Sequence, residues 1–132
     1  MIENVESRKR KVVVLFEVIP TEAGKKRYLE LASQLKPLLS DAKGFIRSER
    51  FSSLNAEGKL LSLNVWESED AVEKWRNELL HRESQLEGRE KLFKSYRITV
   101  ASVMREYSDL CRDEAPADSN EYFHREQADG EL

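Results

Sequence analysis

The chain has 132 residues, 36% of them charged and 39% hydrophobic, with a net charge of −3. That length suggests one domain with a lean core, and the near balance of charge leaves no nucleic-acid footprint. No apolar run approaches the roughly 20 residues of a membrane span, MIENVESRKRK lacks the apolar segment of a signal peptide, and the single cysteine, Cys111, closes no internal disulfide; the expectation is a soluble protein of a reducing compartment, most simply the cytoplasm.

Charge is unevenly placed. Residues 1–11 carry a net +2 and residues 108–132 a net −6, so the middle is close to neutral. This divides the chain into a basic leader (1–10), a domain (11–107) and an acidic extension (108–132). SRKRK could serve as a targeting or binding patch, but a solvated leader ahead of a strand is the plainer reading.

KVVVLFEVIP is rich in β-branched residues and ends at Pro20, the mark of a first strand. Val12, Val14, Phe16 and Val18 share one face, with Val13, Leu15, Glu17 and Ile19 on the other. Both faces are apolar, so the strand should be central, and Glu17 interrupts the second face. Tyr28, Leu31, Ala32, Leu35, Leu38 and Leu39 then recur at helical spacing behind Thr21 as N-cap. Pro37 should kink or end that helix near Leu35, with a further turn after it, and Gly44 should stop the segment. FIRSERFSS alternates as a more exposed strand, with Ile46, Ser48, Arg50 and Ser52 opposite Phe45, Arg47, Glu49 and Phe51. A turn on Asn55 and Gly58 leads back through LLSLNVW as a hairpin. Ser68 caps a second helix whose stripe is Ala71, Val72, Trp75 and Leu79. Gly88 interrupts it, REKLFKSY reads as a short helical turn, and Tyr96–Tyr107 alternates as the last strand. From Ser108 the periodicity is lost, although Tyr122 and Phe123 could dock onto something.

The order βαββαβ predicts an α+β, ferredoxin-like fold: a four-stranded antiparallel sheet with both helices on one face. Most strands keep apolar residues on both faces, which would leave on the order of several hundred Å² of apolar surface wet in a monomer. A homodimer packed sheet against sheet resolves this.

LSLNVWESEDAVEKWRNELLHRESQLEGREKLFKSYRITVASVMREY resembles the antibiotic biosynthesis monooxygenase (ABM) domain family, of the dimeric α+β barrel superfamily. The likeness rests on Val65-Trp66 at a strand end, an acidic helix start, Trp75 in mid-helix, His81 six residues later, Gly88-Arg89 and the strand YRITVASV; it extends to VLFEVIPTEAGKKRYLELASQLKPLL and GFIRSERFSS, covering about residues 12–107. For the family's quinone-forming branch it implies oxygenation without metal or flavin, and no cofactor is expected. A small aromatic or quinol-like molecule loses a proton and reacts with molecular oxygen in a closed apolar pocket. Carried over by position, the candidates are Trp66, Trp75 and Asn64 for substrate, with His81 and Glu17 as catalytic groups. The family's haem-degrading branch relies on a helix histidine, a first-strand asparagine and a tryptophan. Trp75 matches the last, but the first-strand position holds Glu17 and His81 comes early.

Each residue also has a plainer reading. Trp75 packs a helix stripe, and Trp66 seals a corner while its N–H finds a partner. Asn64 is a polar spot inside the dimer barrel or at the pocket rim, hydrogen bonding across the interface. Glu17 needs an ionic partner such as Arg47, Arg50 or Arg97. His81 could take a proton near neutrality, yet it lies 240° around a straight helix from Trp75 and needs a helix break near Leu80 to share its pocket. Cys111 and His124 lack further ligands at metal-site spacing, and no phosphate loop, nucleophile elbow or HExxH motif occurs. The expectation is a cofactor-independent monooxygenase acting on a small aromatic molecule, without nucleic-acid or membrane partners. The alternatives are a non-catalytic ligand-binding or regulatory dimer, and a haem-binding or haem-degrading protein.

Overall fold

A computed structural model describes residues 10–83 and 92–121, without the side chains of residues 80–83. Its elements are β1 (Val12–Pro20), α1 (Glu22–Ser40), β2 (Phe45–Ser52), β3 (Leu60–Trp66), α2 (Glu69–Glu83) and β4 (Phe93–Ser102). The strands form one antiparallel sheet in the order β2-β3-β1-β4. This is the α+β, ferredoxin-like arrangement expected from the sequence, with β1 at its centre. Compact units divide between Ser102 and Val103.

Local chemistry sets the element starts. The Thr21 hydroxyl accepts from the Gly24 N–H at 2.8 Å and begins α1; Ser68 Oγ accepts from Ala71 N–H at 3.2 Å and begins α2. In the hairpin turn, Ser53 Oγ accepts from the N–H groups of Asn55 and Ala56. Gly44 bends the chain into β2 with φ +84°, and a Cβ there would lie 2.5 Å from the Ala71 Cβ. Its carbonyl accepts from Glu67 N–H at 2.7 Å, tying the start of β2 to the end of β3.

The first helix continues as one element through Pro37 to Ser40, which includes the further turn expected beyond the proline. Pro37 is exposed, as is Ser33, whose carbonyl loses its helical donor and can turn to water. The last strand runs from Phe93 to Ser102, not from Tyr96 to Tyr107. Phe93 through Tyr96, expected as a helical turn, pair with Pro20 through Val18, because the open edge of β1 offers a ladder that local propensity does not encode. A register shift between Phe45 and Arg47 leaves Ile46 unpaired, so Phe45 turns to the face of Trp66 rather than that of Arg47 and Glu49.

The second unit, from Val103, contains a helical stretch at 117–121 that the acidic composition concealed. Arg112 organises it by donating to Asn120 Oδ1 (2.9 Å) and Ser119 Oγ (3.1 Å) and by lying 5.2 Å from the Tyr107 ring centre. Residues 1–9 of the leader, Gly88, Tyr122, Phe123 and His124 lie outside the described residues.

Two groups of rings pack the helices on the sheet. Phe45 meets Trp66 edge-on at 5.4 Å, and Trp66 faces Trp75 of α2 at 6.1 Å. Tyr28 of α1 lies 6.4 Å from Phe16 and 5.5 Å from Phe93. Trp66 and Val18 are the most deeply buried large side chains. Such pairs stabilise by about 0.5–1.5 kcal/mol beyond area burial. The crowded, left-handed Gly44 yields a direct test: Gly44→Ala should lower unfolding stability by about 2–4 kcal/mol, measured by urea denaturation.

Candidate functional site

A cleft of about 1730 Å³ lies between the sheet and the two helices. Leu35 and Leu39 of α1 and Trp75 and Leu79 of α2 form its walls, and Phe16 and Trp66 lie on its floor. It extends to β4, where Tyr96, Ile98 and Val100 also line it and are each more than half exposed. A small or medium organic molecule fits such a space.

The floor is apolar except at one spot. Register places Ser48 opposite Asn64 and Arg50 opposite Ser62, and all four face the cleft. Two adjacent strands thus set four polar side chains in one square on the face that the helices cover. Among the described residues none of the four side chains makes a hydrogen bond or ion pair. Asn64 Oδ1 is buried and unpartnered. The Arg50 guanidinium lies 5.5 Å from the Tyr28 ring centre. Buried polar atoms are nearly always hydrogen bonded, so an orphan acceptor in a cleft marks a place for a ligand's donor.

Lys36, Arg50, Arg76 and Lys94 border the cleft, although the whole chain is net negative. The bordering carboxylate, Glu49, pairs in register with Leu63 and therefore sits on the other face. The cleft favours anions.

The structure brings together Trp66, Trp75 and Asn64. Asn64 pairs in register with Val14, on the helix side, so it does not lie on the face where a second sheet would pack. Glu17 is separated from this group. It lies on the opposite face, opposite Leu61, with Oε1 3.1 Å from Lys59 Nζ. Its partner is Lys59 rather than Arg47, Arg50 or Arg97, because Lys59 precedes Leu61 on the same face and reaches Glu17 diagonally. The helix break needed near Leu80 is absent, since α2 runs unbroken to Glu83; the His81 side chain lies outside the described residues. Sequence reasoning missed Ser48, Arg50 and Ser62 as site residues. Their alternation was visible, but only the β2–β3 register shows that two polar rows coincide.

Residues 11–85 match the family model described as antibiotic biosynthesis monooxygenase. The chain is 34% identical over 90 residues to the jasmonate monooxygenase ABM of Pyricularia oryzae, an alignment covering 68% of this chain and 42% of that protein. The chain therefore spans about two fifths of that relative's length. It is 33% identical over 79 residues to the uncharacterised protein YqjZ of Bacillus subtilis, covering 60% of this chain and 68% of the relative. Its fold superposes with a TM-score of 0.60 on a mutant of SnoaB, a cofactor-independent oxygenase from Streptomyces nogalater, at 12% identity over 74% of this chain and 96% of that one.

The location of Glu17 carries its own test. Glu17→Gln removes a half-exposed ion pair and should change stability by less than about 1 kcal/mol. It should leave ligand-induced quenching of the tryptophan fluorescence unchanged, as read by parallel titrations of the two proteins.

Proposed function

The chain belongs to the antibiotic biosynthesis monooxygenase family, and we propose that its helix-side cleft oxygenates a small aromatic or quinol-like molecule with molecular oxygen and no cofactor. The observation that carries this reading is the unpartnered Asn64 Oδ1 beside Trp66 and Trp75 in an apolar cleft. The amide accepts from a phenolic or enolic hydroxyl. Turned over, the same side chain donates to the oxygen as negative charge develops there. The bordering cations stabilise the deprotonated substrate by the same electrostatics that lower the pKa of any acid near positive charge. The electron-rich anion is the reductant: a ring C–H becomes C=O, one atom of O₂ enters the quinone, and the other leaves as water with the hydrogens of that C–H and of the hydroxyl. The names of the relatives, a jasmonate monooxygenase and a cofactor-independent oxygenase, support this reaction class.

Trp66 and Trp75 shape the pocket in this reading and Asn64 binds the reacting oxygen. Glu17, on the far face, does not reach the substrate of its own protomer. The same placement weakens the haem reading, since Val14 and Phe16 are the first-strand residues that face the cleft. His81 was the other candidate base. With α2 unbroken, its position lies well around the helix from the Trp75 stripe; the substrate proton passes to water and the bordering cations hold the resulting anion.

The assembly in this reading is a homodimer. Val13, Leu15, Leu61 and Leu63 form an apolar surface on the face away from the helices, and a second sheet packs there. A cytoplasmic setting belongs to the same reading, because Cys111 is exposed and free and a reducing compartment keeps it so.

Oxygen-electrode assays with a panel of phenols and quinols test the chemistry, with isotopically labelled oxygen tracing one atom into the product. Asn64→Ala should lower kcat about a hundredfold. His81→Ala should fall far short of the roughly hundredfold loss that removing a general base causes; a loss of that size would make His81 the base. No oxygen uptake with any of the panel, alongside tight binding, would reduce the protein to a binding module. Sedimentation equilibrium should give twice the 15.4 kDa chain mass, and Leu63→Glu should halve it while the far-ultraviolet circular dichroism is retained.

A further inference from the structure

The square of Ser48, Arg50, Ser62 and Asn64 asks for a ligand with two different polar ends. Asn64 Oδ1 is an acceptor and needs a donor. Arg50 carries only donors and, among the described residues, faces no carboxylate. The Ser62 hydroxyl, directly opposite Arg50 in register, can donate to the same anion. Arg50 and Asn64 are diagonal neighbours on adjacent strands, about 7–8 Å apart at the backbone. Around this square the floor and walls are rings and aliphatic chains.

We propose that the substrate is a phenolic carboxylic acid, its carboxylate held by Arg50 and Ser62 and its hydroxyl presented to Asn64. This rests on the oxygenase reading of the same cleft and deepens it by naming the substrate class. A guanidinium is planar and presents paired N–H donors that match a carboxylate bidentately. Tyr28 backs the guanidinium with its ring face, which holds the fork in place without consuming its donors. The remaining cations, Lys36, Arg76 and Lys94, add attraction for the same sign of charge. Arg50 is exposed at the cleft edge, where a carboxylate gains charge-assisted hydrogen bonds that an ester cannot match, so the acid is preferred over its ester.

The chain has two tryptophans, Trp66 and Trp75, and both border the cleft. Their fluorescence therefore reads binding directly. The probes are para-hydroxyphenylpropionate and its methyl ester, titrated into the full chain. The acid should bind about tenfold more tightly than the ester, as hydrogen bonds to a charged group imply. Added salt should weaken the acid but not the ester. Arg50→Ala should bring the acid down to the ester and leave the ester unchanged, which also shows that the variant's cleft is intact. Arg50→Lys should keep part of the preference. Equal binding of acid and ester by the parent, or a preference that survives Arg50→Ala, overturns the proposal. Oxygen uptake measured on the same samples keeps the two readings apart. Turnover of neutral quinols without acid preference removes this proposal and leaves the oxygenase. Acid preference without turnover of any probe leaves the anchor and removes the oxygenase.

Discussion

The helices meet the sheet through rings, and the size of those rings holds the layers apart. Tyr28 carries α1 over Phe16 and Phe93; Trp75 carries α2 over Trp66. Aliphatic contacts would let both helices settle closer to the strands. With indole and phenol as spacers at separate places, the region between them stays open as a cleft. The small number of deeply buried residues, chiefly Val12, Val18, Val65 and Trp66, follows from the same arrangement. Much of the apolar surface that would form a solid core instead lines a space.

That space treats the four polar residues of its floor unequally. Ser48 and Arg50 are exposed on the edge strand and keep their solvation, and Ser62 is half-buried. Among the described residues Asn64 Oδ1 is the buried side-chain atom without a partner, so the cost of lost solvation is confined to that one position. The opposite face follows another logic: there the one acidic intruder of the central strand, Glu17, is answered by Lys59 within the chain.

Much of the fold was legible because its determinants are local. Thr21 and Ser68 announce helix starts by their own hydroxyls, and the run Leu60–Trp66 is bounded by a turn and a cap. Alternation correctly told which residues of β1 and β3 share a side. It did not tell which side the helices cover, since both are apolar, and so Glu17 and Asn64 were grouped as one candidate site when the sheet divides them. The start of β4 was illegible for a different reason. Phe93 joins the sheet by pairing with Pro20, more than seventy residues away, and nothing near Phe93 records that partner. The unpaired Ile46 was equally hidden, because a bulge is a relation between two strands rather than a property of one.

Gly44 and Ala71 touch so closely that neither position can be described alone. Together they set the closest approach of the β2 entrance to the first turn of α2. Sequence drift at this corner is therefore joint: a larger residue at either position requires the other element to retreat, and Trp66 and Trp75 are the rings that such a retreat would separate. The smallest side chains in the domain thus govern the spacing of its largest.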